Sequence, residues 1–382
     1  MHLDPTEDQI AIRDAVRDLC QGEFAKHAAS WDQLDDIPRS AVDQLAEMGL
    51  LGMALPEEHG GLGYDLRTTT MVITEIAKVS AALAILFAVH NSVGAYPISV
   101  FGTDEQKKRY LPRLTSRDMG AFSLSEPDSG SDAASLAASA VRDGDHYVLN
   151  GSKNWVTNGV HAWTFLVFAR TGEPGAKGIS AFILERDMPG LVVGRCEDKM
   201  GLRGSHTVTL SLENLCVPVS QRLGAEGEGF RIALASLDKG RIGVAAQALG
   251  VMEAAFDAAA RYAQQRSAFG QPLSKIQAVQ FKLADMERRI QGSRLLIQRA
   301  AWLKDTDQPC TREAAEAKLY ATESATHVTH QAIQIHGGYG YVKDYAVERY
   351  YRDVRVMEIY EGTSEIQRLV IARNLLKDGV KV

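Results

Sequence analysis

The 382 residues are 45% hydrophobic and 24% charged with a net charge of −6, a globular composition with room for two or three domains and no generic nucleic-acid surface. Four cysteines, Cys20, Cys196, Cys216 and Cys310, form no CxxC pair, which argues against a zinc ribbon or a dithiol redox motif. The opening MHLDPTEDQIAIRD lacks a basic segment followed by an apolar core, and the most apolar run, residues 81–89, is short for a bilayer, so a soluble cytoplasmic protein without membrane insertion is predicted.

Asp4-Pro5-Thr6-Glu7 reads as a helix start, with a capping residue, proline at the first helical position and an early acid. A second helix is predicted from Ser40 to near Gly49, and a long apolar one over 66–100. Thr103 to Gln106 is a capping box opening a short helix that should end by Pro112. The pattern then changes. Strands are predicted at 121–125, 165–169, 179–184, 191–194 and 207–212, with a hairpin of 146–149 and 153–157 about Asn150-Gly151. Helical spacing returns after Gly229, over 230–265, 276–304, 312–335 and 364–377, the last with Ile366, Leu369, Val370 and Leu376 on its apolar side. The fold class is mainly α with a central β-domain. A helical domain (1–116), a β-domain (117–225) of barrel or sandwich type and a C-terminal helical bundle (226–382) are expected.

Several stretches admit chemistry beside a plainer reading. IYEGTSEIQR places Glu361 before Gly362 at a helix start. It is a proton-abstracting base next to free amide donors, or a capping acid. The segment 122–132, holding Ser123, Ser125, Ser129, Gly130 and Ser131, is a pyrophosphate cradle or a surface turn. Trp155 and Thr157 offer a stacking face and a hydroxyl, or Trp155 is simply core. Asp238 and Arg241, one helical turn apart, pair with each other or meet a ligand, and Arg266 meets a phosphate or caps a helix end. Gly337-Gly338-Tyr339-Gly340 follows a helix, not a strand, so it fails the context of a dinucleotide fingerprint. His327 and His330 lack the Glu-x-x-His companions of a di-iron bundle, and no metal is expected.

Taken together, AFSLSEPDSGSD, GSKNWVTNG, KMGLRGSHT, LDKGRIGVAAQALG, QRSAFGQPLSKIQAVQFKLADM, QIHGGYGYVKDYAVERYYRDVR and IYEGTSEIQR resemble the acyl-CoA dehydrogenase family across essentially the whole chain. The resemblance is greatest to its short-chain (butyryl-CoA-like) and short branched-chain members. It implies FAD between the β-domain and the bundle, in a homotetramer arranged as a dimer of dimers whose neighbouring subunit completes the site. By position, Phe122, Leu124, Ser125, Gly130 and Ser131 would cradle the flavin and pyrophosphate. Trp155, Val156 and Thr157 would pack on the isoalloxazine, with Thr157 near N5. Arg266, Phe269, Gln277, Gln334, Gly337 and Gly338 would serve the ADP half, and Thr363 and Glu365 would also touch FAD. Ser131, Asp238, Arg241 and Gly362 would contact the acyl-CoA, and Glu361 would be the catalytic base.

The implied reaction is α,β-dehydrogenation of an acyl-CoA, with a C4 to C6 acyl group, to a trans-2-enoyl-CoA, as in fatty acid β-oxidation. Glu361 removes the α-proton, hydride goes to flavin N5, and electrons pass to an electron-transfer flavoprotein. Alternatives are an acyl-CoA oxidase using O2, against which the single bundle argues, and a catalytically silent acyl-CoA-binding relative, against which intact Glu361, Thr157 and Arg266 argue. The sequence departs from the family at Asp128, where glycine is common, and at Phe122, where tyrosine is frequent.

Overall fold

The computed structural model describes residues 4–377. Helix α1 (Glu7–Gly22) is capped by Thr6, whose hydroxyl accepts from the Gln9 amide while the Gln9 side chain returns to the Thr6 amide. The cap is thus Thr6 and not Asp4, and Pro5 precedes the helix instead of taking its first position. Helices α2 (Ala28–Leu34) and α3 (Arg39–Glu47) follow.

The single helix expected over 66–100 is interrupted. Helix α4 (Leu66–Val79) ends at Ser80, whose extended backbone and hydroxyl cap the next helix, α5 (Ala81–Val89). A π-helical turn, His90–Gly94, then leads into α6 (Tyr96–Phe101). Helix α7 (Asp104–Ser116) has the expected Thr103–Gln106 box but runs through Pro112. The carbonyl that Pro112 leaves without its amide partner belongs to the exposed Lys108, so solvent meets it.

Strands β1 (Met119–Ser123), β2 (Ser139–Asp143), β3 (His146–Val156), β4 (Ala162–Arg170), β5 (Ile179–Glu185), β6 (Leu191–Cys196), β7 (Val208–Pro218) and β8 (Arg222–Leu223) form one sheet. Its order is β6-β7-β3-β2-β4-β5-β8, with β1 parallel to β4. The expected hairpin at Asn150-Gly151 is absent. The chain runs straight through as β3, and the pair marks a register shift against β7, with Gly151 at φ 143. The hairpin is instead β2–β3, closed by Gly144 at φ 60. Strand β2 escaped the sequence reading because its burial alternates weakly and it is mostly exposed after Ala140.

Helices α8 (Gly229–Gln265), α9 (Gln277–Asp305), α10 (Thr311–His336), α11 (Val347–Arg355) and α12 (Ser364–Lys377) complete the chain. All but α11 were expected. In α8 every residue from Lys239 to Met252 is buried. Two helical stretches, Ala81–Phe101 and Gly229–Gln265, are long and apolar enough to cross a membrane, so the apolar run is longer than residues 81–89 suggest. Protein already covers them, as 94% and 72% of their most apolar windows are buried. Helix α12 departs from expectation: Ser364 and Gln367 face inward, while Leu369 and Leu376 are 48% and 78% exposed.

The helical and β regions meet at a close backbone contact. A Cβ on Gly94 would sit 2.7 Å from the Gly120 carbonyl oxygen, so side chains are excluded there. His90, fully buried, fixes this junction. Its Nδ1 accepts from the Gly120 amide at 3.0 Å, and its Nε2 donates toward the Leu51 and Leu114 carbonyls. Burial lowers the His90 pKa to about 4, so the ring is neutral.

Candidate active site

Glu361 lies between the short turn ending α11 and the start of α12, at φ 53, followed by Gly362 at φ 94. Two consecutive left-handed residues swing the carboxylate back into the bundle instead of out from the helix start, a conformation a non-glycine residue adopts only under constraint. The side chain reaches α8. A Cβ on Gly240 would collide with Glu361 Oε2, so a glycine in mid-helix makes the space the carboxylate occupies. That oxygen is buried and has no hydrogen-bond partner among the described residues. Burial pushes the Glu361 pKa up to about 7, against the pull of Lys318 and Arg241. The Glu361 amide finds no acceptor among the described residues. A carboxylate that loses hydration and keeps no donor is a stronger proton acceptor than one at the surface.

Cations come from two helices. Arg241 of α8 is buried and pairs with Asp238 at 2.8 Å, and Asp238 also accepts from the Thr311 hydroxyl at 2.6 Å. The mutual pairing weighed from sequence is therefore present, and it stands beside Glu361. Lys318 of α10, fully buried, donates to the Gly362 carbonyl at 2.8 Å. Thr363 is half-buried at the head of α12, its hydroxyl accepting from the Ile366 amide at 3.4 Å, and Glu365 is exposed.

The segment 122–131 runs off β1 and lies along the end of β3, where the Asn154 amide donates to the Ser125 carbonyl at 2.9 Å. Phe122 is half-buried against Phe168, with ring centroids 5.0 Å apart, Leu124 is buried and Ser125 half-buried. Gly130 and Ser131 are exposed, and Asp128 is exposed on the turn bridged by Glu126 and Ser129. The loop is anchored by a pair that sequence reading missed. Buried Glu126 accepts from Lys153 Nζ at 2.6 Å and from the amides of Ala137 and Ala138. Trp155 is 62% exposed with φ 60, so it is no core tryptophan. Val156 is fully buried in the β core, its carbonyl accepting from the Gly159 amide at 3.3 Å, and Thr157 is half-buried.

A third group gathers at the far end of the bundle. Arg266 follows α8, its amide bonding the Tyr262 carbonyl and its guanidinium 5.8 Å from the Tyr339 ring centre. Phe269 is 94% exposed, and Gln277 is exposed at the first turn of α9. Gln334, Gly337 and Gly338 are exposed where α10 ends, and a Cβ on either glycine would meet nothing within 4 Å. This turn does end a helix, as the sequence context required. None of these residues contacts Glu361; within one chain the base pocket and the residues expected to hold the ADP half are separate.

Three residues around the base had no role assigned from the sequence, although two of them lie in LDKGRIGVAAQALG and IYEGTSEIQR. Gly240 sits in a run of small helix residues, Lys318 reads as a surface lysine, and Gln367 as a polar helix residue. A bound flavin fits what is present. The large flat face of Trp155 is turned to solvent, the glycines at 130, 337 and 338 leave open space where side chains would stand, and the Thr157 hydroxyl lies beside the exposed indole in sequence.

Models of the acyl-CoA dehydrogenase N-terminal, middle and C-terminal domains match residues 6–118, 121–215 and 227–376. The short-chain specific mitochondrial acyl-CoA dehydrogenase of Bos taurus is 49% identical over 368 residues, 96% of this chain and 89% of that protein. Butyryl-CoA dehydrogenase from Megasphaera elsdenii superposes with a TM-score of 0.97 at 41% identity, covering 98% of this chain and all of that one. A chain from a structure of the electron transferring flavoprotein of Acidaminococcus fermentans, studied for flavin-based electron bifurcation, also gives 0.97, at 44% identity over 99% and 100% of the two chains. With all three domains matched in order, this chain belongs to the acyl-CoA dehydrogenase family and is an FAD-dependent oxidoreductase.

Proposed function

We propose that the protein oxidises a short-chain acyl-CoA, straight or branched, to its trans-2-enoyl-CoA, with Glu361 as the base. The observation that carries this reading is the buried, unpartnered Glu361 Oε2 held against Gly240, with the carboxyl pKa raised to about 7 by burial. The α-proton of a thioester is weakly acidic, so its removal needs a base of raised pKa and a donor on the thioester oxygen. The Glu361 carboxylate supplies the first. Its own free amide supplies a donor to the second. Asp238 and Arg241, fixed to each other and to Thr311, hold polar groups of the thioester arm beside the base, with Ser131 and Gly362 at its flanks. The fully buried α5 closes the acyl end and keeps water from the carboxylate.

FAD, when bound, supplies the acceptor for the β-hydrogen and its electron pair. Phe122, Leu124, Ser125, Gly130, Ser131, Trp155, the Val156 backbone, Thr157, Thr363 and Glu365 would hold its flavin side. Arg266, Phe269, Gln277, Gln334, Gly337 and Gly338 would hold the ADP half, in part from a neighbouring subunit of a dimer of dimers. Exposed Phe269, Leu369 and Leu376 supply apolar surface for that assembly. A cytoplasmic electron-transfer flavoprotein is the proposed acceptor, supported by the likeness to the chain from Acidaminococcus fermentans.

Anaerobic bleaching of the flavin band by butyryl-, hexanoyl- and isobutyryl-CoA tests the reading. Rapid bleaching by one of them is expected, followed by slow reoxidation in air and fast reoxidation by an electron-transfer flavoprotein. A yellow protein that none of the thioesters bleaches would refute it, and rapid reoxidation by O2 would make it an oxidase.

A further inference from the structure

Among the described residues Lys153 and Lys318 have no exposed surface, and they are held differently. Lys153 has a carboxylate, Glu126, at 2.6 Å. Among the described residues Lys318 has no carboxylate within ion-pair distance, and its one hydrogen bond goes to the Gly362 carbonyl at 2.8 Å. An ammonium buried without an ion pair is costly, and a neutral donor would hold a carbonyl at less expense. A neutral donor is already present. Gln367 Nε2 of α12 donates to the same carbonyl at 2.9 Å and to the Glu361 carbonyl at 3.2 Å. Two side chains from two helices thus grip the left-handed Glu361–Gly362 turn, and only one is charged.

We propose that Lys318 is a positioning residue for Glu361: its ammonium fixes the Glu361–Gly362 turn through the Gly362 carbonyl, and its charge favours the ionised form of the base. The inference rests on the proposed role of Glu361. The charged and titratable groups around the pair come from four elements. Arg241 on α8 already shares its charge with Asp238. Tyr360, beside the base, bonds Gln247 and is kept neutral by burial. Glu358 and Glu365 act on Lys318 from the turn before α12 and from its first residues. Lys318 itself lies on α10 and is the larger of the two cationic influences that oppose burial at Glu361. The coupling is mutual: burial lowers the Lys318 pKa to about 8, and Glu361 is the main influence holding it up.

The test is the pH profile of flavin bleaching by butyryl-CoA in the FAD-loaded protein and in Lys318→Met, Lys318→Gln and Lys318→Arg, with Glu361→Gln as the control. Removing a positive charge beside a carboxylate raises its pKa, so the acidic limb should move to higher pH by about one unit in the Met and Gln variants. Well below the limb this is about a tenfold slower rate, with KM little changed. Lys318→Arg, which keeps the charge, should leave the limb in place. A limb that stays put in Lys318→Gln, or moves as far in Lys318→Arg, overturns the assignment even if Lys318→Met cannot retain FAD. Normal bleaching by Glu361→Gln would instead refute the base reading. An inactive Glu361→Gln beside an unmoved limb would refute the Lys318 inference alone.

Discussion

Around Glu361 the polar groups are buried and countered within one chain, by Lys318, by Arg241 paired to Asp238, and by Gln367 on the turn itself. At Trp155, Phe269, Tyr339 and Tyr341 large rings are instead 62%, 94%, 50% and 88% exposed. The first region is preorganised before any ligand arrives, and its strain at Glu361 is held by the fold. The second presents open aromatic surface, of the kind that marks a ligand or protein contact. The proposed chemistry thus depends on buried, preset geometry, and the proposed cofactor retention on exposed surface.

The largest effect is expected at the base. Glu361→Gln should keep FAD and thioester binding while bleaching slows by about 10²–10⁴-fold or more, the range of a general base; a rate within tenfold of the parent by stopped flow would show that the pocket is not where the proton goes. Gly240→Ala places a methyl against Glu361 Oε2 without touching the exposed aromatic surface. It should cost about 10²-fold in bleaching rate through displacement of the base, with the flavin spectrum and FAD content unchanged. Equal losses of FAD and of rate would mean the two regions are not separate.

Titration sharpens the same contrast. Bleaching should rise with pH through about 7, as Glu361 loses its proton. Stability carries the opposite sign. The Glu361 pKa is raised from 4.5 to about 7 by burial, so the folded protein binds more protons than the unfolded chain between those values. Stability is therefore lost as pH rises through that window. Glu361→Gln, which has no such proton, should gain Tm relative to the parent between pH 5 and pH 8, with no further gain above. A Tm difference flat across that range would mean the carboxylate is not desolvated.

The mildest perturbation belongs to the other region. Phe269→Ala should change the unfolding free energy of the FAD-free protein by less than about 0.5 kcal/mol, since the ring is packed against nothing in its own chain. FAD affinity and subunit association should weaken, as read by flavin release and by sedimentation. A large loss of intrinsic stability with FAD retention intact would place Phe269 in the core and not at an interface.

The long helices of the C-terminal half were legible from the sequence to within a residue or two, because their periodicity runs over many turns. The order helical, β, helical was legible too, and Glu361 stood out as a candidate base through a motif with little freedom in spacing. The hairpin about Asn150-Gly151 was misread because a bulge and a turn use the same residue pair, and only pairing with β7 distinguishes them. Trp155 was ambiguous for a related reason: a strand residue can face the core or solvent, and its φ of 60 turns it outward at the strand end. The apolar residues of α12 predict a buried stripe, yet the bundle takes its Ser364 and Gln367 face.

From the residues alone the order of the helical and β regions, the long C-terminal helices and the family were readable, and Glu361 stood out as a candidate base, since these depend on local periodicity and on motifs in fixed order. The surroundings of that acid come from tertiary packing. Gly240, Lys318 and Gln367 lie 121 and 43 residues before Glu361 and 6 after it, and only Gln367 shares a local motif with the base. They become its surroundings only because three helices pack side by side, which removes water from the carboxylate and leaves a glycine, an ammonium and an amide in its place.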